Sequence, residues 1–238
     1  MAGEDDVLLQ ETSSVVVRHL GRCEYQPVMK AMQGWTRQRS PSTADEIWVL
    51  EHFPVYTRGV SCRDEPRCLT GEVPVVDSDR GGQITYHGPG QLVVFLLLNL
   101  RRLGLGIRDL VSSVERTVIG LLGEHAVEAT IEPGAPGVYV SGSKVAAIGF
   151  RIHRGCCYHG LSLNVNMDLT PFQSIDPCGY AGLQVTQLRE LGVTVEFARV
   201  RQRFVDRFTA ELRYGQIISG EAKLPVLTIH SSVSQQVS

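Results

Sequence analysis

Arg80-Gly81-Gly82-Gln83-Ile84-Thr85-Tyr86-His87-Gly88-Pro89-Gly90-Gln91 is the stretch from which the rest of the chain is best read. Four glycines within residues 81–90 let backbone come close to a ligand and present unencumbered N–H groups. Arg80 adds a fixed cation and His87 a titratable ring. Gln83–Tyr86 and Leu92–Asn99 read as strands, so His87-Gly88-Pro89-Gly90 is a connection between them. Pattern alone describes a glycine-rich hairpin with a satisfied histidine as well as it describes a ligand cradle. The block is not a phosphate-gripping loop, because no Gly-Lys-Ser/Thr follows and the G-x-G-x-x-G spacing is missing.

On the N-terminal side, Tyr25–Arg39 is expected to be helical, with Pro27 in the first turn and Val28, Met29, Met32 and Trp35 on one face. Ile47–Leu50 and Val73–Val76 read as short buried strands. Phe53–Thr70, with its arginines, prolines and cysteines, reads as a long loop. On the C-terminal side, Ile107–Leu122 has helical spacing and Gly123 is a reasonable stop. Val138–Val140, Val145–Ile152 and Cys157–Val165 suggest a three-stranded meander turning at Ser141-Gly142-Ser143 and Arg154-Gly155. A last helix is expected over Val195–Leu212. The fold class is therefore α/β (α+β), with a mixed, largely antiparallel sheet and flanking helices. Residues 1–215 are expected to form a single domain and residues 216–238 a partly disordered tail.

The chain has 238 residues, 43% hydrophobic and 20% charged, which is the composition of a globular domain with a sizeable core. A formal net charge of -2 leaves nucleic acid a poor partner. The apolar run Leu92–Leu98 is far too short to span a membrane. Met1-Ala2-Gly3-Glu4-Asp5-Asp6 resembles neither a secretory nor a transit signal, so a cytoplasmic protein is expected, with its six cysteines as thiols.

Cys178 stands between rigid Pro177 and permissive Gly179, a setting that can present a sulfur at a sharp turn. A thiol needs a nearby cation to become a useful nucleophile at neutral pH. Lys144 supplies one, because it opens the otherwise apolar run Lys144-Val145-Ala146-Ala147-Ile148-Gly149. The ordinary fate of such a cysteine is to be packed, and of such a lysine to face water. Cys156 and Cys157 begin a strand whose alternation sends one of them inward. Cys23, Cys62 and Cys68 have no catalytic partner in the sequence. His153, Cys156, Cys157 and His159 raise the thought of zinc, but neighbouring strand residues point to opposite faces and no second Cys pair has ligand spacing.

Taken in order, the glycine block, Lys144-x-Ala146-Ala147-Ile148-Gly149, His159-Gly160-Leu161-Ser162-Leu163-Asn164-Val165 and Pro177-Cys178-Gly179 resemble the lipoyl(octanoyl) transferases of bacterial lipoate biosynthesis. The resemblance covers roughly residues 15–215. It implies a fold like the catalytic domains of biotin and lipoate protein ligases and a Cys178/Lys144 dyad. It implies a substrate pocket lined by Arg80, Gly81, Gly82, Gln83, Ile84, Thr85, Tyr86 and His87, by Ala147, Ile148 and Gly149, and by Gly160, Leu161 and Ser162. The donor would be octanoyl-acyl carrier protein. The acceptors would be lipoyl domains of 2-oxoacid dehydrogenase and glycine cleavage proteins, with no cofactor or metal. Two other readings stand beside it: an ATP-dependent lipoate or biotin protein ligase, and a non-catalytic acyl-binding module. Arg58, Arg63, Arg67, Arg101 and Arg102 are candidates for meeting an acidic carrier protein, by charge alone.

Overall fold

The computed structural model describes residues 14–62, 73–175 and 183–225. Strand β1 (Ser14–Cys23) leads into helix α1 (Tyr25–Gln38) and strand β2 (Asp45–His52), and β2 lies parallel to β1. This is a β-α-β crossover, in which the helix carries the chain back along one face of the sheet. Strand β1 was not anticipated, although Val15 and Val17 are buried and alternate with less buried neighbours, the pattern of a strand.

Inside the segment expected to be a loop, Val55–Arg58 forms strand β3. With β4 (Val75–Asp77) and β5 (Ile84–His87) it makes a small sheet in the order β4-β3-β5. The sequence reading placed a buried strand at Val73–Val76; the observed one is shorter, and Val75 is exposed. Strand β6 (Gln91–Leu97), helix α2 (Ile107–Gly123), the meander β7 (Gly137–Val140), β8 (Ser143–His153) and β9 (Cys156–Asn164), and helix α3 (Phe197–Glu211) follow, within a few residues of their expected bounds. The chain after Gly215, expected to fray, instead adds strand β10 (Gln216–Ser219) parallel to β1.

The main sheet has the order β10-β1-β2-β6-β9-β8-β7, parallel through β10-β1-β2 and antiparallel beyond. Both of its faces are covered, which is why β2 and β6 are nearly continuous apolar runs. Ile47, Val49, Leu92, Val94 and Leu96 pack toward α2 and α3, where Leu110, Val114, Val118, Phe204 and Phe208 meet them. Trp48, Leu50, Val93, Phe95 and Leu97 face the other way, against Tyr25, Val28 and Met32 of α1. No helix among the described residues is long and apolar enough to cross a membrane.

Candidate functional site

On the α1 side of the sheet the glycine block closes over β8 and β9. Gly81 N–H donates to Phe150 O at 3.0 Å, past the end of the β7 pairing, and so caps the β8 edge. The approach is close enough that a Cβ on Gly149 would stand 2.8 Å from Gly81 O. The block is also tied to residues 59–61, through Gly59 N to Gln83 O, Val60 N to Arg80 O and Ser61 N to Gly82 O. Arg80 folds back onto Thr57, donating from Nε (3.0 Å) and Nη2 (2.9 Å) to Oγ1 and from Nη2 (2.6 Å) to the carbonyl.

Beneath this roof lies a cavity of about 60 Å³. Arg80, Gly81, Gly82, Gln83, Ile84, Thr85 and His87 line one side of it. Ala147, Ile148 and Gly149 of β8 and Gly160, Leu161 and Ser162 of β9 line the other. Tyr86 does not join them. It packs instead with Tyr56, Met167, Phe172 and Ile175, a cluster that Ile84 also touches. The cavity shares the wall of Gly81–Gln83, Ile148 and Gly149 with a wider cleft of about 580 Å³, and Lys144 lines that cleft.

Several cavity residues were not singled out by sequence. Tyr25 and Phe95 close the inner end, together with His159, which the sequence marks as the start of a shared motif without a pocket role. His159 Nε2 lies 2.7 Å from Asp79 Oδ1, and Tyr158 OH donates to Asp79 Oδ2 at 2.5 Å. Burial holds the Asp79 carboxyl up, but the His159 and Tyr158 bonds outweigh it and leave the group well below its ordinary range. Burial lowers His159, against the pull of Asp79, so the ring is neutral at pH 7, with Nε2–H donated to the carboxylate. The signals were present in the sequence: Asp79 immediately precedes the glycine block and His159 opens His159-Gly160-Leu161-Ser162.

His87 is fully enclosed. Its Nδ1 lies 2.8 Å from Gln91 Oε1, and its Nε2 is 3.4 Å from Thr57 Oγ1. Gln91 passes the chain on to Asn164 Oδ1 at 2.9 Å, and Asn164 Nδ2 donates to Thr186 O at 2.9 Å. The directions agree with one tautomer, Nδ1–H on His87. Burial, then the neighbouring His52 and Arg80, push the His87 pKa well down and keep the ring neutral. His52 packs edge-on to both Tyr25 and His87, and burial lowers it to about 4.

Lys144 does not face water; it is 3% exposed. Its Nζ lies 5.1 Å from the centre of the Tyr139 ring and 3.5 Å from Pro136 O. Its backbone is bonded on both sides to the segment that follows Cys178: Lys144 N to Gln184 O at 2.8 Å, and Thr186 N to Lys144 O at 3.0 Å. Cys178 itself lies outside the described residues, as do Cys68, Arg63 and Arg67. Cys157 is buried, bonds to Leu96 O and is pushed up to about 12 by burial, the state of an inert packed thiol. Cys157 packs in the α2/α3 core while His159 turns to the α1 side, so the two diverge. No group of three or more potential ligands among the described residues is placed to hold a metal. Of the arginines proposed for docking, Arg58 is paired with Asp77 and Arg102 with buried Asp45, while Arg101 is exposed.

Residues 25–209 match the family described as the lipoyl protein ligase A/B catalytic domain. The chain is 52% identical over 200 residues to the octanoyltransferase of Pseudomonas entomophila, covering 84% of this chain and 93% of that one. It is 52% identical over 205 residues to the octanoyltransferase of Stutzerimonas stutzeri, covering 86% and 94%. Among solved structures, a lipoate-protein ligase A bound with ATP superposes with a TM-score of 0.69 at 14% identity, over 88% of both chains. A biotin protein ligase from Aquifex aeolicus, in complex with biotin and ATP, gives 0.51 at 15% identity, over 84% of this chain and 70% of that one. At such identities these two likenesses speak for the fold alone. The chain belongs to the lipoyl protein ligase A/B catalytic domain family.

Proposed function

We propose that this protein moves an octanoyl group from acyl carrier protein to a lysine of a lipoyl domain, through a thioester on Cys178. The observation that carries the reading is the buried Lys144, with the segment after Cys178 laid against its backbone. The chain enters residues 176–182 from Ile175 and leaves them shortly before Val185, and both of these side chains pack on the same Tyr56–Tyr86–Phe172 cluster. Val185 is also the bridge partner of Lys144. Ile175 and Val185, the described residues that flank the Cys178 segment, thus share one cluster, and the pairing of Val185 with Lys144 supports a Cys178/Lys144 dyad.

In the first half-reaction the Cys178 thiolate attacks the octanoyl thioester carbonyl, and the carrier's thiolate leaves and takes up a proton. In the second, the acceptor lysine's amine attacks the acyl-Cys178 carbonyl. The amide forms, the cysteine sulfur departs, and Lys144 relays to it the proton that the amine loses. Thioester to amide is downhill, so the transfer needs no nucleotide. The cavity supplies an apolar slot, and each buried methylene contributes roughly 0.8 kcal/mol. Gly81 N–H is already given to Phe150 O, so an oxyanion donor must come from elsewhere in the glycine block or from the Cys178 turn. Both His87 nitrogens are engaged, so this ring braces the roof rather than orienting a carbonyl.

Intact-mass analysis after mixing with octanoyl-acyl carrier protein tests the reading. A hydroxylamine-labile octanoyl adduct is expected on the native chain and none on Cys178→Ser. A thiol near pKa 8.5 is about 3% ionised at pH 7, and a paired cation lowers it by roughly one to three units. Lys144→Met should therefore slow alkylation of Cys178 at pH 7 about 10- to 30-fold and move its pH profile upward. No adduct on the native chain, or an alkylation profile that Lys144→Met leaves in place, would overturn the assignment.

A further inference from the structure

We propose that His159, fixed by Asp79, closes the acyl cavity together with Tyr25 and Phe95 and sets the accepted chain at about eight carbons. This rests on the acyl-transfer reading above and goes on to its chain-length selectivity. Three features of the cavity carry it.

The first is which end is shut. Tyr25, Phe95 and His159 are nearly inaccessible to solvent, whereas Ala147, opposite Ser162, lies three residues along β8 from Lys144, so the Ser162 end of the cavity is the one that faces the lysine. The second is length. Along β9 the lining runs from Ser162, opposite Ala147, to His159, opposite Phe150. Three strand residues span about 10 Å. An extended chain advances roughly 1.2 Å per bond, taking about 3.4 Å for the three bonds of a residue, so the seven bonds of an octanoyl chain need about 8 Å. The terminal methyl group takes up the remainder.

The third is how the stop is built. His159 has φ +63°, a left-handed backbone within a strand. That conformation turns the ring out of the alternation and onto the cavity face, where it meets Phe95 edge-on at 6.0 Å and stacks on Tyr158 at 5.0 Å. Such a backbone persists only where its surroundings enforce it. Here the enforcement is the 2.7 Å bond to Asp79. Tyr25 is held in the same way, by its 2.7 Å bond to Ser78 Oγ. Neither ring is free to swing aside for a longer chain.

The test is a competition among hexanoyl, octanoyl, decanoyl and dodecanoyl thioesters of acyl carrier protein, read as adduct masses on the full chain and on two variants. His159→Gly suits the left-handed backbone and removes the ring; His159→Asn also tolerates that backbone but keeps a shorter polar side chain. The native chain should carry mainly octanoyl. One methylene in a fitted pocket is worth about tenfold or more in discrimination. His159→Gly should therefore raise decanoyl and dodecanoyl relative to octanoyl by at least about tenfold, with a smaller shift for His159→Asn. Were His159→Gly to misfold, the His159→Asn shift would decide the matter alone. Adducts forming on the variants with the native ranking of lengths would overturn the gauge and leave the acyl-transfer reading standing. No adduct on the native chain with any donor would overturn both.

Discussion

Asp45 offers the sharpest test of how this fold is held together. Its carboxylate is fully buried, and Oδ1 accepts from Arg39 Nη2 at 2.6 Å, Arg102 Nη2 at 2.7 Å and the Asn99 N–H at 2.8 Å. Oδ2 accepts from Tyr214 OH at 2.9 Å. One side chain thus joins the start of β2 to the end of α1, the exit of β6, the approach to α2 and the turn before β10. Asp45→Ala would leave the Arg39 guanidinium, 2% exposed, with carbonyl partners but no counter-charge. Removing one member of a buried pair costs about 3–5 kcal/mol. For a chain of this size each kcal/mol lowers the melting temperature by roughly 2–4 °C, so a drop of about 6–20 °C is expected. Asp45→Asn retains an acceptor but not the charge, and should fall between the two. The assay is thermal unfolding by circular dichroism at neutral pH, with urea unfolding as a check on the free energy. A melting temperature for Asp45→Ala within about 2 °C of the native chain would refute the reasoning, because a loss that small corresponds to a surface pair.

Two further predictions concern the interior. His52 is held neutral in the fold at a pKa of about 4 but titrates near 6.5 when unfolded, so the unfolded chain binds the extra proton between these values. Its contribution is complete above pH 6.5 and is lost as pH falls toward 4, by about 3 kcal/mol at 1.36 kcal/mol per unit. His52→Phe should flatten the acid side of a plot of urea midpoint against pH in that window; an unchanged slope would show that His52 is not buried neutral. Gly160→Ala would set a Cβ 2.0 Å from Val94 O, a backbone atom of the neighbouring strand, so β6 and β9 must separate there. A loss of about 3 kcal/mol or more is expected, and native-like thermal stability would contradict this register.

Much of the architecture was legible because its signals are local. The apolar spacing of Ile107–Leu121 and the glycine turns of the β7–β8–β9 meander each lie within one stretch of chain. What escaped were elements defined by distant partners. Val55–Arg58, four residues between Pro54 and Gly59, becomes a strand only because β4 and β5 flank it. Gln216–Ser219, all exposed, carries no burial pattern and is ordered by pairing with β1. The site divides in the same way. The glycine block and Lys144 stand out by composition, a run of glycines and a charge among apolar residues. Tyr25 and Phe95 looked like ordinary core residues, and only tertiary placement shows them around one cavity with His159. Tyr86 does not line the cavity, and a contiguous motif does not show which of its residues turn away.

The pairing of β10 with β1 also constrains the order of assembly. Strand β1 holds the first described residues, yet one of its two neighbours is made about 200 residues later. During synthesis the β1-α1-β2 crossover can form early, but the outer edge of β1 stays open until the C-terminal strand leaves the ribosome. An open edge presents unpaired N–H and C=O groups and invites pairing with other chains. During translation the open edge is that of the ten-residue β1; in the finished fold it is that of the four-residue β10. A stop codon placed before Gln216 would preserve every cavity residue described above and still yield a chain prone to joining its neighbours edge to edge.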